Sequence, residues 1–286
     1  MDLDGTLLSP DGTPSAANVA ALARARAAGV RVAVCTGRGL VECRQILGAI
    51  GQSEPVVVAG GSIIADPASS RTIHRFAIDQ ALVRRAVARL LEHRHPALIL
   101  KDPVEAGYDY LVVRGREELA LDPVTRWWFE QLRVKVRYAA TLEEDPHPEH
   151  TVRVGACGLS GKLAEIKVEL SEACGGDACV HHFPAVVGPQ HARGDGESLH
   201  VLEVFHAHAN KWSAVKVLAA RLGVREDRIA AIGDEINDET MVRGAGLGIA
   251  MGNAVACVKA SARRVTKSNG EDGVAWAVEQ ILAGAW

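Results

Sequence analysis

The chain has 286 residues, of which 48% are hydrophobic and 23% charged, and its formal net charge is −3. This composition is typical of a globular protein with one large or two moderate domains. The absence of a long basic run argues against a nucleic-acid partner, and the absence of a stretch of roughly 20 apolar residues argues against a membrane span. Six scattered cysteines without a recognisable signal peptide predict reduced thiols and a cytoplasmic location. Nothing in the sequence indicates the oligomeric state.

The chain begins with alternating helix and strand patterns: a helix over 13–29, a strand over 30–35 (VRVAVC), a helix over 40–50 and a strand over 55–59. We predict that Thr13 caps the first helix and that Gly29 ends it. The same alternation returns later, with a helix over 210–223, strands over 227–234 and 246–252, and a helix over 272–284. Alternation of this kind favours a parallel sheet covered by helices. We therefore predict a Rossmann-like α/β core domain built from residues 1–75 and 196–286.

The middle of the chain, residues 76–195, has a different pattern. It contains helices over 79–93 and 162–173 and strands over 97–101, 109–113, 133–139 and 151–157, separated by loops rich in Pro, Gly and His. This is enough material for a separate α+β domain inserted into the core domain.

Four short polar segments lie at or near the ends of predicted core elements: DLDGT with Asp2 and Asp4, CTGR with Thr36, Lys211 at a helix start, and GDEIND over 233–238. In open α/β sheets, ligands bind beyond the carboxyl ends of the strands. A group of carboxylates suits a hard cation such as Mg²⁺, which is often held together with a substrate phosphate. One carboxylate of such a site can act as a covalent nucleophile and a second as a general acid and base.

In this order, and with a domain inserted between the second and third, the four segments resemble the motifs of the haloacid dehalogenase (HAD) superfamily of phosphatases. AMGNA (250–254) and SNGEDGVA (268–275) are similar to segments of its Cof-like branch, which has a type IIB cap. The resemblance implies a HAD-like core with an inserted α+β cap that closes over the site and selects the leaving group.

The resemblance also implies residue roles. The nucleophile would be Asp2, and the general acid and base would be Asp4. The phosphate-binding residues would be Thr36, Gly37, Lys211 and Asn237. Mg²⁺ would be held by Asp2, the backbone carbonyl of Asp4 and Asp234, with Asp238 next to these ligands. Arg38 is interpreted as a surface charge and left outside the site.

The implied function is Mg²⁺-dependent hydrolysis of a small phosphorylated metabolite, of sugar-phosphate type, through an aspartyl phosphate. One alternative is a phosphomutase or phosphotransferase, which would pass the phosphoryl group to an organic hydroxyl. A second alternative is a catalytically impaired metabolite-binding protein, which would follow if the first core strand were absent.

Two positions depart from the family pattern. Only Met1 precedes Asp2, where the family has a short apolar strand, and Gly60 stands where relatives typically carry Asn. We expect the true start to lie upstream, because a frayed terminus would not hold Asp2 to catalytic tolerance. At Gly60 we expect the loss of a polar contact near the mouth of the site.

Overall fold

The structure, a computed structural model, describes residues 1–185 and 198–286. These form two compact units: a core unit of Met1–His74 and Asn210–Trp286, and an inserted unit of Arg75–Ala209. The domain boundary predicted between residues 195 and 196 lies outside the described residues. Residues 198–209 still belong to the inserted unit, because the strand over Leu199–His206 pairs within that unit's sheet.

The first part of the core unit contains α1 (Ala16–Ala27), α2 (Leu40–Ala49), β1 (Val56–Val58), β2 (Ile63–Ala65) and β3 (Thr72–Arg75). The cap of α1 is Ser15, whose hydroxyl accepts a hydrogen bond from the amide of Asn18 at 3.1 Å. The prediction that Thr13 caps this helix is therefore wrong. Thr13 lies in the preceding loop, where its amide and hydroxyl donate to the carboxylate of Asp11.

The strand predicted over 30–35 forms backbone pairs only near its carboxyl end. Cys35 makes an isolated parallel bridge with Val57. On the other side, the amide of Cys35 donates to the carbonyl of Met1 at 2.8 Å, and the amino group of Met1 donates to Ala33 at 3.0 Å. A regular strand does not form, because Met1 alone supplies the ladder on this side.

The inserted unit contains α3 (Gln80–Glu92), β4 (Ala97–Lys101), α4 (Pro103–Ala106), β5 (Tyr110–Val113), α5 (Pro123–Gln131), β6 (Val136–Ala139), β7 (Thr151–Leu159), α6 (Ser160–Cys174), β8 (Ala178–Pro184) and β9 (Leu199–His206). Within the described residues, its strands form a six-stranded sheet in the order β6-β5-β4-β7-β9-β8. All of its neighbours are antiparallel except the parallel pair β5 and β6. Apolar side chains of α3, α6 and one sheet face form a buried cluster that includes Leu90, Ile99, Val154 and Ile166.

The last part of the core unit contains α7 (Lys211–Arg221), β10 (Ala230–Gly233), α8 (Glu239–Gly244), β11 (Leu247–Ala250), α9 (Ala256–Ser261), β12 (Arg264–Val265) and α10 (Gly273–Leu282). β10, β11 and β12 are parallel neighbours. The amide of Asp2 donates to the carbonyl of Ile232 in β10 at 3.1 Å. Backbone hydrogen bonds therefore continue from β12 through β11 to β10, then to Met1 and Asp2, and from there to residues 33–36 and β1. The core is a largely parallel sheet flanked by helices.

The helices are short compared with a membrane span. A helix that crosses a bilayer needs about 20 predominantly apolar residues, whereas α6 has 15 residues, several of them charged. Across residues 1–185 and 198–286, no helix has both the length and the apolar character to cross a membrane.

Candidate active site

Asp2 is held firmly although it is the second residue of the chain. Its amide is bonded to Ile232, and the preceding Met1 is bonded to Ala33 and Cys35 on the opposite side. The residue is buried, with 5% of its surface exposed. Because β10 on one side and residues 33–35 on the other fix the backbone, the Asp2 carboxylate has a defined position at the end of this ladder.

Lys211 brings a buried ammonium group to Asp2. It is the first residue of α7. The preceding residue, Asn210, caps this helix, because its side chain accepts a hydrogen bond from the amide of Ser213. The Lys211 ammonium is fully buried and lies 3.0 Å from Asp2 Oδ1 and 2.6 Å from Asp238 Oδ1. Burial alone would lower the pKa of Lys211, but the charges of Asp2 and Asp238 outweigh it and raise the pKa, so the group is an ammonium ion.

Asp238 orients this lysine and shapes the turn after β10. While its Oδ1 accepts from Lys211, its Oδ2 accepts from the backbone amides of Asp234 at 3.0 Å and Glu235 at 3.1 Å. Both carboxylate oxygens are therefore engaged within the protein. Asp238 therefore fixes the position of Lys211 and of the Asp234 backbone.

The acidic cluster fits a divalent cation. Asp2, Asp234 and Asp238 each place a carboxylate oxygen within 4.8 Å of the other two, and the oxygens of Asp238 are already bonded to Lys211 and to backbone amides. Burial, then the charge of Asp238, raises the pKa of Asp2 well above its usual value. Burial also raises the pKa of Asp234 to about 7, although a hydrogen bond from Thr6 opposes this shift. Among the described residues, Lys211 is the one ammonium paired with these carboxylates. The cluster therefore lacks positive charge, and a hard cation with oxygen ligands would supply it.

The turn over Leu3–Leu7 fits closely against Asp234. The Thr6 hydroxyl donates to Asp234 Oδ1 at 2.6 Å. Gly5 has a φ of +70°, and a Cβ added there would lie 2.1 Å from Asp234 Oδ2. Glycine in DLDGT is thus required twice, for its backbone conformation and for the close approach of the Asp234 carboxylate.

Two asparagines, whose roles the sequence analysis did not identify, bond to the backbone of this turn and of the residue that follows it. The side-chain amide of Asn253 donates to the carbonyl of Gly5 at 2.8 Å, and that of Asn269 donates to the carbonyl of Leu8 at 2.8 Å. The two are linked, because the backbone amide of Asn269 donates to Asn253 Oδ1 at 2.9 Å. The signal was present in AMGNA and SNGEDGVA, each of which places an amide side chain in a loop.

Thr36, Gly37 and Asn237 lie on adjoining loops. Thr36 is fully buried and follows Cys35 at the end of its ladder. A Cβ added at Gly37 would lie 3.7 Å from the side-chain nitrogen of Asn237, so the two loops approach each other. Asn237 Oδ1 is buried without a hydrogen-bond partner among the described residues. The Thr36 hydroxyl and the Asn237 side-chain amide are the polar side-chain groups of these loops.

Gly60, where the resemblance led us to expect Asn, contributes a backbone contact. Its amide donates to the carbonyl of Thr36 at 3.0 Å. The next residue, Gly61, has a φ of +104°, and a Cβ added there would lie 2.2 Å from the Asn210 carbonyl carbon and 2.6 Å from the Lys211 nitrogen. The Gly-Gly pair therefore connects the Thr36 loop to the start of α7.

The interpretation of Arg38 as a surface charge is wrong. Its side chain is 21% exposed and forms a bidentate ion pair with Asp4, with Nε 2.8 Å from Oδ2 and Nη2 2.6 Å from Oδ1. Burial would lower the pKa of the Arg38 guanidinium, but hydrogen bonding to Asp4 and its charge outweigh this and raise the pKa. The available signal was position: Arg38 directly follows Thr36 and Gly37 in the same loop.

A family model described as haloacid dehalogenase-like hydrolase matches residues 1–278 of the chain. The chain is 29% identical, over 302 aligned positions, to the 5-amino-6-(5-phospho-D-ribitylamino)uracil phosphatase YwtE of Bacillus subtilis, covering 100% of this chain and 98% of that protein. It is 27% identical to the HMP-PP phosphatase of Citrobacter koseri, covering 89% of this chain and 83% of that protein.

Solved structures agree with these sequence relationships. A haloacid dehalogenase-like hydrolase from Bacteroides thetaiotaomicron superposes with a TM-score of 0.77 at 25% identity, covering 98% of this chain and 97% of that one. The similarity extends over both the core unit and the inserted unit, since nearly the whole chain is covered. The predicted fold class, a parallel-sheet α/β core with an inserted α+β domain, is confirmed.

Proposed function

The chain belongs to the haloacid dehalogenase-like hydrolase family, and we propose that it hydrolyses a small phosphorylated metabolite of sugar-phosphate type, with Mg²⁺ bound and Asp2 as the nucleophile. That it is a phosphatase follows from the family and from relatives that are themselves phosphatases. The observation that supports the mechanism best is the buried Asp2 carboxylate, 3.0 Å from the Lys211 ammonium in a cluster of acidic groups. Because this cluster is short of positive charge, it can bind a cation, and the bound cation can then attract the negatively charged phosphoryl group.

In the first proposed step, a carboxylate oxygen of Asp2 attacks phosphorus. The bond between phosphorus and the ester oxygen breaks, and Asp4 gives a proton to the departing oxygen. Lys211 holds Asp2 in place and neutralises a phosphoryl oxygen, while Thr36 and Asn237 donate hydrogen bonds to the others. The products of this step are an alcohol and a phosphoryl group on Asp2.

In the second proposed step, Asp4, now a carboxylate, takes a proton from water as the water oxygen attacks phosphorus. The bond between phosphorus and Asp2 breaks, and inorganic phosphate leaves. Asp2 and Asp234, with the Asp4 carbonyl, would hold Mg²⁺, which when bound offsets the negative charge of the phosphoryl oxygens. Thr6 and Gly5 keep Asp234 at the turn that carries both catalytic carboxylates.

The substrate class rests on the relatives. YwtE is named for a phosphate ester of a ribityl-amino-uracil, a small molecule with a single phosphorylated polyol chain. We propose phosphomonoesters of comparable size, with the alcohol oxygen as leaving group. Rates of phosphate release from a panel of phosphate esters would identify the preferred metabolite.

The test is phosphate release from para-nitrophenyl phosphate with Mg²⁺, with EDTA and with Asp2→Asn. We expect turnover to require Mg²⁺ and to fall by more than about 10³-fold in Asp2→Asn. Asp11→Asn is the matched control, since Asp11 is an exposed carboxylate in the same amino-terminal loop and bonds only to Thr13 among the described contacts of its side chain.

Turnover that is unchanged in Asp2→Asn would overturn the nucleophile assignment. With an added alcohol, equal amounts of released phosphate and nitrophenol are expected for a hydrolase. A persistent deficit of phosphate would instead favour the phosphotransferase alternative, because the missing phosphate would be on the alcohol.

A further inference from the structure

The carboxylate of Asp4, proposed as the general acid, is paired with an arginine in this structure. Both oxygens of Asp4 accept from the Arg38 guanidinium, Oδ1 at 2.6 Å and Oδ2 at 2.8 Å. Both side chains are about three-quarters buried, with 27% of the Asp4 side chain and 21% of the Arg38 side chain exposed. A bidentate pair of this kind is among the strongest hydrogen-bonded ion pairs in proteins.

This pairing conflicts with proton transfer by Asp4. A general acid has to present a carboxyl oxygen to the leaving group, whereas the guanidinium ion only donates hydrogen bonds and holds both Asp4 oxygens toward itself. Asp4 must therefore separate from Arg38 before it can act in the first step of the proposed reaction.

After this separation, the Arg38 guanidinium needs another anion, because a partly buried charge without a partner is strongly unfavourable. The nearby carboxylate of Glu42 is buried and already accepts from the amide of Gly39 at 2.6 Å. The guanidinium also donates a 3.4 Å hydrogen bond from Nη1 to the Glu42 carbonyl. A substrate phosphoryl group is an anion that can accept two parallel hydrogen bonds from the same planar group.

Position supports this exchange. Arg38 follows Thr36 and Gly37, and its backbone amide donates to the Thr36 hydroxyl oxygen at 3.1 Å. The backbone carbonyl of Arg38 accepts from the amide of Ala59 at 2.7 Å, which fixes the base of the side chain. The guanidinium therefore extends from a rigid point on the loop that is expected to receive the phosphoryl oxygens.

We propose that Arg38 is an anion-binding residue that pairs with Asp4 in the free enzyme and transfers to the phosphoryl group when substrate binds, which frees Asp4 for proton transfer. The inference rests on the proposed function, since it requires a phosphorylated ligand in this site. It makes Asp4 and the phosphoryl group competitors for one guanidinium. Loss of Asp4 therefore strengthens anion binding through Arg38, beyond the general effect of removing a negative charge.

The test is a double-mutant cycle of inorganic phosphate binding, measured by titration calorimetry with Mg²⁺ present. The four proteins are wild type, Asp4→Ala, Arg38→Met and the double variant. We expect Asp4→Ala to bind phosphate more tightly than wild type. We expect the double variant to bind phosphate about 10-fold or more weakly than Asp4→Ala, because it lacks the charged hydrogen bonds from Arg38.

The comparison between Asp4→Ala and the double variant decides the question. If Arg38 only positions Asp4, removal of Arg38 has no consequence once Asp4 is absent, and dissociation constants within twofold of each other would overturn the inference. Arg38→Lys in the Asp4→Ala background is expected to recover part of the affinity, since it keeps the charge but not the bidentate geometry. No recovery would contradict an anion-binding role.

Arg44→Met is the matched control, because Arg44 is an exposed arginine in α2 that bonds to Ser70. Its phosphate affinity should equal that of wild type, and thermal melting should show that all variants are folded. Failure of phosphate to bind to either wild type or Asp4→Ala would overturn the proposed function together with this inference. Tight phosphate binding that is insensitive to Arg38 would overturn the inference alone.

Discussion

In the inserted unit, the buried ammonium of Lys101 pairs with Asp145, and the buried guanidinium of Arg153 pairs with Glu203. Each pair is completed by neutral groups: Lys101 also donates to the Thr151 hydroxyl at 2.7 Å. In these pairs, charges of opposite sign are matched and their hydrogen-bonding groups are used. Matched pairs of this kind are typical of a structural interior.

In the core unit, the carboxylates of Asp2, Asp234 and Asp238 meet the ammonium of Lys211. Here negative charge is in excess. Burial, to which the charge of Asp238 adds, raises the pKa of Asp2 well above its usual value and the pKa of Asp234 to about 7. A folded protein keeps such an arrangement where a ligand completes it. The difference between the units indicates that unmatched buried charge, more than burial of charge itself, identifies the functional site.

The largest effect is expected where a matched pair is broken. Asp145→Asn leaves the fully buried Lys101 ammonium without its counter-ion. We expect the free energy of unfolding to fall by about 3–5 kcal/mol, as it does when one partner of a buried ion pair is removed. Chemical denaturation of the purified variant measures this.

The control for Asp145→Asn is an exposed ion pair of the same unit. Arg94 and Glu117 are 70% and 66% exposed, and Glu117→Gln should lower the free energy of unfolding by less than about 1 kcal/mol. Equal losses in Asp145→Asn and Glu117→Gln would contradict the distinction between matched buried pairs and surface pairs.

The next effect concerns the geometry of the unmatched cluster. The Cβ introduced by Gly5→Ala would lie 2.1 Å from Asp234 Oδ2, which is too close for two unbonded atoms. The Asp234 carboxylate therefore has to move. We expect phosphatase turnover to fall by about 10²-fold, the usual result of a displacement of about 1 Å at a reacting centre. Steady-state kinetics at saturating Mg²⁺ measures this.

Gly12→Ala is the control that distinguishes displacement of the Asp234 carboxylate from strain in the backbone. Gly12 has a φ of +81°, similar to that of Gly5, but a Cβ added there meets nothing within 4 Å. We expect Gly12→Ala to lose about 1 kcal/mol of stability and to keep its turnover. If Gly12→Ala lost as much activity as Gly5→Ala, strain in the loop would account for both.

The smallest expected effect is a gain in stability on removal of a carboxylate of the site, Asp234. The pKa of Asp234 is about 7 in the folded protein, against 3.8 as its ordinary value, so the folded state binds more protons and loses stability as pH rises from about 4 to above 7. Asp234→Asn removes this penalty. In EDTA at pH 8, we expect the variant to be more stable than wild type by about 1–2 kcal/mol.

Added Mg²⁺ should reverse this order. Wild type gains stability when it binds the cation, whereas Asp234→Asn lacks a ligand and gains little. Thermal melts of both proteins with and without Mg²⁺ measure the two differences. A variant that is less stable than wild type in EDTA would show that the cluster is not short of positive charge.

The sequence predicted the periodic parts of the fold and the acidic cluster. Apolar strands such as β1 and β10 and helices such as α7 were predicted because their patterns are local. The order of the four polar segments was enough to place Asp2, Lys211 and Asp234 together. The strand predicted over 30–35 was wrong in extent, since a ladder depends on its neighbours and Met1 supplies only one residue.

The remaining site contacts depend on residues far apart in the sequence. Arg38 pairs with Asp4 across 34 positions, and Asn253 reaches the carbonyl of Gly5 across 248. A lone arginine or asparagine in a loop carries no periodic signal, so the sequence gives no partner for it. The strand β9 was missed for a related reason, because its pairing with β7 and β8 joins separate segments of the chain.

The proposed covalent role of Asp2 is tested most directly by rapid acid quenching of Asp4→Ala with para-nitrophenyl phosphate and Mg²⁺. Nitrophenol leaves without help from an acid, whereas hydrolysis of the intermediate needs the base, so phosphoenzyme should accumulate in this variant. We predict one phosphoryl group per chain by intact mass, mapped to the peptide that contains Asp2 and absent from Asp2→Asn/Asp4→Ala. Nitrophenol release without any phosphoenzyme, or a phosphoryl group mapped to another residue, would contradict the account.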